Sequence, residues 1–94
     1  MFVSAAKDRV LAIIAGILSP YVGATMAGAS VRGISQRLGL DQPRLDRNQV
    51  GLLLEALGPG LDVYIGKDKA RIVVLDIWKA LDSLDPTHGP GSRG

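Results

Sequence analysis

The stretch GISQRLGLDQPRLDRNQV, Gly33 to Val50, decides the fold, because the point where its second helix begins fixes which side chains that helix presents. Asp46 and Gln49 have the spacing of a capping box, in which each side chain satisfies a backbone N–H of the other. Leu45 and Val50 have the spacing of a hydrophobic staple. These signals place the helix start at Asp46 and not near Asp41. Upstream, Gly39 supplies the left-handed residue that ends the preceding helix, with Leu40 folding back onto Ile34.

Toward the N-terminus, Ser4 reads as the N-cap of a first helix reaching Leu18. Its Val10, Leu11, Ile13, Ile14, Ile17 and Leu18, with Val3, cover more than one face. Such a helix is expected at the centre of its domain or inside an oligomer. Ser19-Pro20 has the form of a new start, a hydroxyl cap followed by proline, and predicts a second helix from Pro20 to about Leu38. Ala27, Val31, Ile34 and Leu38 form its core stripe. The uncharged run 10–31 is long enough for a bilayer and, behind Lys7 to Arg9, imitates a signal peptide. Asp8, the break at Ser19-Pro20 and the small residues of its second half argue for a buried helix instead.

Toward the C-terminus, Val50, Leu53, Leu54 and Leu57 continue the third helix to a stop at Gly58-Pro59-Gly60. Leu61, Val63 and Ile65 alternate with Asp62 and Tyr64 as a short extended segment. From Lys67 to about Leu84, Ala70, Val73, Val74, Ile77, Leu81 and Leu84 share one helical face. The β-branched run Arg71 to Leu75 would permit a hairpin with Leu61 to Ile65, but the stripe continues through Trp78 and favours the helix. No internal repeat is visible. The expected fold is all-α, a compact bundle of four helices with a short extended segment before the last helix. It forms a single domain over 1–84, with a flexible, disordered tail over 85–94.

The Gly33–Val50 stretch also resembles a bacterial helix-turn-helix. Ile34, Leu38, Gly39, Leu40 and Leu45 match its apolar and turn positions. Gln42, Arg44, Arg47, Asn48 and Gln49 would then face DNA bases, and a hairpin from Leu61 to Leu75 would serve as a wing. The alternative function is therefore a winged helix-turn-helix transcriptional regulator. Three features oppose it. A start at Asp46 makes the turn too long, Asn48 falls where an aliphatic residue belongs, and the preceding helix is far longer than the usual stub.

Composition removes several chemistries. The chain has no cysteine, which excludes disulfides and thiolate nucleophiles and fits a cytoplasmic location. One histidine, His88 in the tail, offers neither a fixed general base nor a transition-metal site. No P-loop follows the glycines, and the aspartates lack calcium-loop spacing. No enzyme, cofactor, metal site or small-molecule substrate is expected. The net charge of +2 lacks the excess of a general nucleic-acid coater. Arg32, Arg37, Arg44 and Arg47 cluster around the loop as a basic rim, expected to be solvated or paired with Asp41 and Asp46, with contact to an acidic partner as the alternative.

What remains is apolar surface. On the last helix Ile72 projects away from the core stripe, and Leu75 and Trp78 lie to one side of it. These three are the expected partner interface, with Trp78 as anchor. The sequence thus points to a small self-associating adaptor or assembly subunit that binds protein. DNA binding ranks second, and membrane insertion through 10–31 third.

Overall fold

Residues 2–84 are described by the structure, a computed structural model; the expected tail over 85–94, with His88, lies outside them. The elements run β1 (Ser4–Ala6), α1 (Lys7–Val22), α2 (Ala24–Arg37), β2 (Arg44–Asp46), α3 (Arg47–Ile65) and α4 (Lys67–Asp82). Over the described residues the chain is predominantly helical, with four helices and a small two-stranded antiparallel sheet.

The Gly33–Val50 stretch folds as its caps dictate. Asp46 Oδ1 accepts the N–H of Gln49 at 2.8 Å, and Gln49 Oε1 accepts the N–H of Asp46 at 2.9 Å. Leu45 and Val50 are both fully buried beside this cap. Gly39, at φ 70°, ends α2 as a Schellman turn, its N–H donating to Gln36 and that of Leu40 to Ser35. Buried Ser35 donates its hydroxyl to the Leu40 carbonyl at 3.3 Å, so its polar group is satisfied. Leu40 is buried and Ile34 half-buried, but Leu38, expected in the stripe, is exposed.

Four expectations are corrected. Ser4 does not cap α1; it pairs in β1, and α1 opens at Lys7, whose N–H is taken by the Pro43 carbonyl at 2.9 Å. Ser19-Pro20 does not start a helix either. The Ser19 hydroxyl turns back onto the Ala15 carbonyl at 2.8 Å, and α1 continues to Val22. The carbonyl that Pro20 leaves without an N–H belongs to exposed Gly16, where water can serve it.

Gly58-Pro59-Gly60 is likewise no stop, and the expected extended segment over Leu61 to Ile65 is the last turn of α3. Burial of Leu57 and Leu61, about 1.5–3 kcal/mol for each, offsets an interior proline at roughly 3 kcal/mol and glycine at about 1 kcal/mol. The residues that do end the first helices are Gly23 at φ 90° and Gly66 at φ 86°, which no β-carbon-bearing residue adopts without strain.

An internal repeat, invisible along the sequence, governs the architecture. β1-α1-α2 and β2-α3-α4 are two halves of one design, related by a pseudo-two-fold through the Ala5–Leu45 strand pair. The Lys7 N–H bond to Pro43 has its mate in the Arg47 N–H bond to Val3 at 3.1 Å. At the helix junctions, Gly23 donates to Ser19 and accepts from Ala27, while Gly66 donates to Asp62 and accepts from Ala70. The segments YVGATMA (Tyr21 to Ala27) and YIGKDKA (Tyr64 to Ala70) therefore correspond. α3 differs from α1 by about one extra turn, 19 residues against 16.

Each first helix packs on the second helix of its own half and on that of the other, α1 on α2 and α4, α3 on α4 and α2. This explains why α1 is apolar on most sides: Val10, Ile14 and Leu18 are buried, and Leu11, Ile13 and Ile17 half-buried. On α4 the stripe is as expected, with Ala70, Val73, Ile77 and Leu81 buried. No helix among the described residues is long and apolar enough to cross a membrane, and the run 10–31 is divided between α1 and α2 at Gly23.

Candidate interaction surface

The two halves carry corresponding grooves with different linings. Between α1 and α2 the groove is formed by Asp8, Leu11, Ala12, Ala15, Gly28 and Arg32. Between α3 and α4 it is formed by Arg47, Asn48, Gly51, Leu52, Glu55 and Trp78. Where the first half has Ala12, the second has Leu52, half of whose surface is exposed (51%).

The outward faces of α2 and α4 differ in the same sense. Ile72 and Leu75 are 54% and 53% exposed, and their counterparts on α2 are Ala29 and Arg32. Both α2 positions are exposed too, so the fold itself requires no large apolar side chain there. The first half serves as an internal control: the apolar surface of Leu52, Ile72 and Leu75 is an addition to the scaffold.

Trp78 sits differently from its two expected companions. It is half-buried, its ring 6.4 Å from that of Phe2 and tilted by 59°, with the Arg47 guanidinium 4.8 Å from its centroid. Phe2 is itself buried, and its N–H donates to Asp82 Oδ1 at 2.6 Å. Trp78 thus ties the N-terminal segment to α4 while still lining the groove. Phe2, which precedes every element, carries no periodic signal, and neither does Leu52, which lies off the α3 stripe.

The four arginines of the expected rim lie in different settings. Arg44 donates to the Ser4 carbonyl and hydroxyl at 3.2 and 3.1 Å, and Arg47 covers Trp78. Arg32 folds toward Gly28 in the α1/α2 groove, and Arg37 borders a shallow depression with Ala29, Ser30, Gly33 and Ile34.

The residues expected to face DNA do not share a helix face. Gln42 and Arg44 precede α3, the Gln49 carboxamide is turned back into the capping box, and Arg47 is stacked on Trp78. Asn48, exposed in the first turn, is the one left facing outward on the helix. The segment expected as a wing, Leu61 to Leu75, is the end of α3, Gly66 and most of α4.

A second exposed apolar group lies at the helix junctions. Tyr64 donates its hydroxyl to Met26 Sδ at 3.7 Å over an apolar cleft of about 90 Å³ reaching Leu18 and Leu61. Tyrosine occupies this position in both halves, Tyr21 and Tyr64, so it belongs to the repeated junction and not to one half's special surface. No family model, curated protein or solved structure matches the chain.

Proposed function

We propose that this chain is a small, non-enzymatic protein-interaction module, a helical bundle of two βαα halves that self-associates as an adaptor or assembly subunit. Its working surface is the outer side of the second half: Ile72 and Leu75, together with the groove lined by Leu52 and Trp78. One observation carries this reading. The second half exposes large aliphatic side chains where the same scaffold, in the first half, carries Ala12, Ala29 and Arg32. Apolar surface beyond what a fold needs marks a contact that is made elsewhere.

Sedimentation velocity of the full chain over a wide concentration range tests it. The expected weight-average mass rises above the 9.9 kDa of one chain. Ile72→Asp together with Leu75→Asp returns it to one chain with the helical circular dichroism unchanged. A mass fixed at one chain throughout, or association untouched by the double substitution, overturns the proposal.

A further inference from the structure

Resting on that reading, we infer that the partner is a second copy of this chain, docked through antiparallel pairing of α4 with α4 about a two-fold axis between Val73 and Val74. The outward stripe of α4 reads Asp68, Ile72, Leu75 and Lys79, all exposed and opposite the buried Ala70, Val73, Ile77 and Leu81. Its four-three-four spacing is that of a helix-pairing seam. Charges of opposite sign close its two ends and aliphatics fill its middle.

Antiparallel pairing about that axis sets Ile72 against the partner's Leu75 and Asp68 against the partner's Lys79, each contact occurring twice. On one flank, exposed Lys69 meets the partner's Asp76, and the reverse. On the other, the partner's Arg71 falls beside the groove that holds Glu55. The stripe is therefore complementary to itself in this arrangement.

Other arrangements lose this match. Sliding one helix by a heptad in either direction places Ile72 against an aspartate, Asp68 or Asp82 of the other copy. Parallel pairing stacks Asp68 on Asp68 and Lys79 on Lys79. The corresponding stripe of α2, Thr25, Ala29, Arg32 and Gln36, holds neither the aliphatic pair nor the opposed charges. A single helix pair covers less than the roughly 1,600 Å² of a standard interface, so the dimer is weak and follows concentration.

Asp68 and Lys79 lie about 16 Å apart along one helix, too far to pair within a chain, so their coupling reports only the contact between copies. The test is sedimentation equilibrium of Asp68→Lys, of Lys79→Asp and of their equimolar mixture, against the unaltered chain. Each variant alone repeats one charge across the axis and is expected to dimerise at least about tenfold more weakly. The mixture restores both contacts and is expected to recover the original affinity as a mixed dimer.

If the unaltered chain associates but the mixture stays as weak as its components, the α4 pairing is wrong while the interaction module stands. Single variants that associate like the unaltered chain also overturn the pairing. An unaltered chain that never leaves the monomer overturns both.

Discussion

Arg47 holds its guanidinium 4.8 Å from the ring centroid of Trp78, joining the first turn of α3 to the last third of α4. The contact belongs to the second half alone, since Ser35 stands at the Trp78 position in the first. Trp78 is the chain's one tryptophan, so its emission reports this contact without interference. Arg47→Ala is expected to remove about 0.5–1 kcal/mol of stability, the range for a partly exposed cation–π pair. It should also shift the tryptophan emission of the folded state. A denaturation curve and emission spectrum indistinguishable from those of the unaltered chain would remove the contact from the account.

The glycines divide into two kinds that a melting experiment separates. Gly23 and Gly66 take φ 90° and 86°, so Gly23→Ala and Gly66→Ala should each destabilise by about 1–3 kcal/mol although open space surrounds both. Gly58 and Gly60 lie inside α3 with no neighbour within 4 Å of an added β-carbon. Gly58→Ala and Gly60→Ala are therefore expected to stabilise, by about 0.5–1 kcal/mol each. A stabilised Gly66→Ala or a destabilised Gly60→Ala would contradict the helix ends described above.

The helix ends also show how far the sequence could be read. The Asp46–Gln49 box, the Gly39 turn and the α4 stripe were legible because each is local, a side chain satisfying a backbone group within a few residues. Pro20 and the Gly58-Pro59-Gly60 run misled because local breakers were overridden by burial of Leu18 and Leu61, which depends on the opposite half. The repeat was hidden for a related reason. Its clearest marks are backbone hydrogen bonds, Lys7 to Pro43 and Arg47 to Val3, that require no particular side chain. Of the expected interface, Ile72 and Leu75 are exposed as read from their positions off the stripe. Trp78 is half-buried because Phe2, outside every periodic pattern, packs against it.

The two halves differ in how their first helices are capped, which allows a stabilising substitution to be chosen. Asp46 caps α3, whereas Ala6, its counterpart before α1, makes no side-chain hydrogen bond. Ala6 is exposed and already extended at φ −55° and ψ 134°. Ala6→Asp should accept an N–H from the first turn of α1 and stabilise by about 0.5–2 kcal/mol, and Asp46→Ala should lose a similar amount. Thermal melts of the two variants check this, and a neutral Ala6→Asp would mean that the α1 terminus does not take up a side-chain cap as α3 does.

The correspondence of α2 and α4 permits a test in which surface is added and not removed. Ala29→Ile with Arg32→Leu gives α2 the aliphatic pair of α4 at two exposed positions. Stability should change by no more than about 0.5 kcal/mol, as for most surface substitutions. A chain with apolar stripes on both second helices has two sticky faces pointing in different directions, and two such faces make open assemblies where one makes a closed pair. The weight-average mass is therefore expected to climb past two chains with concentration. Adding Ile72→Asp and Leu75→Asp to the grafted chain should stop that growth. A grafted chain that behaves like the unaltered one would show that an exposed aliphatic pair on this scaffold is not enough for association, and that the charges at the two ends of the α4 stripe carry the contact instead.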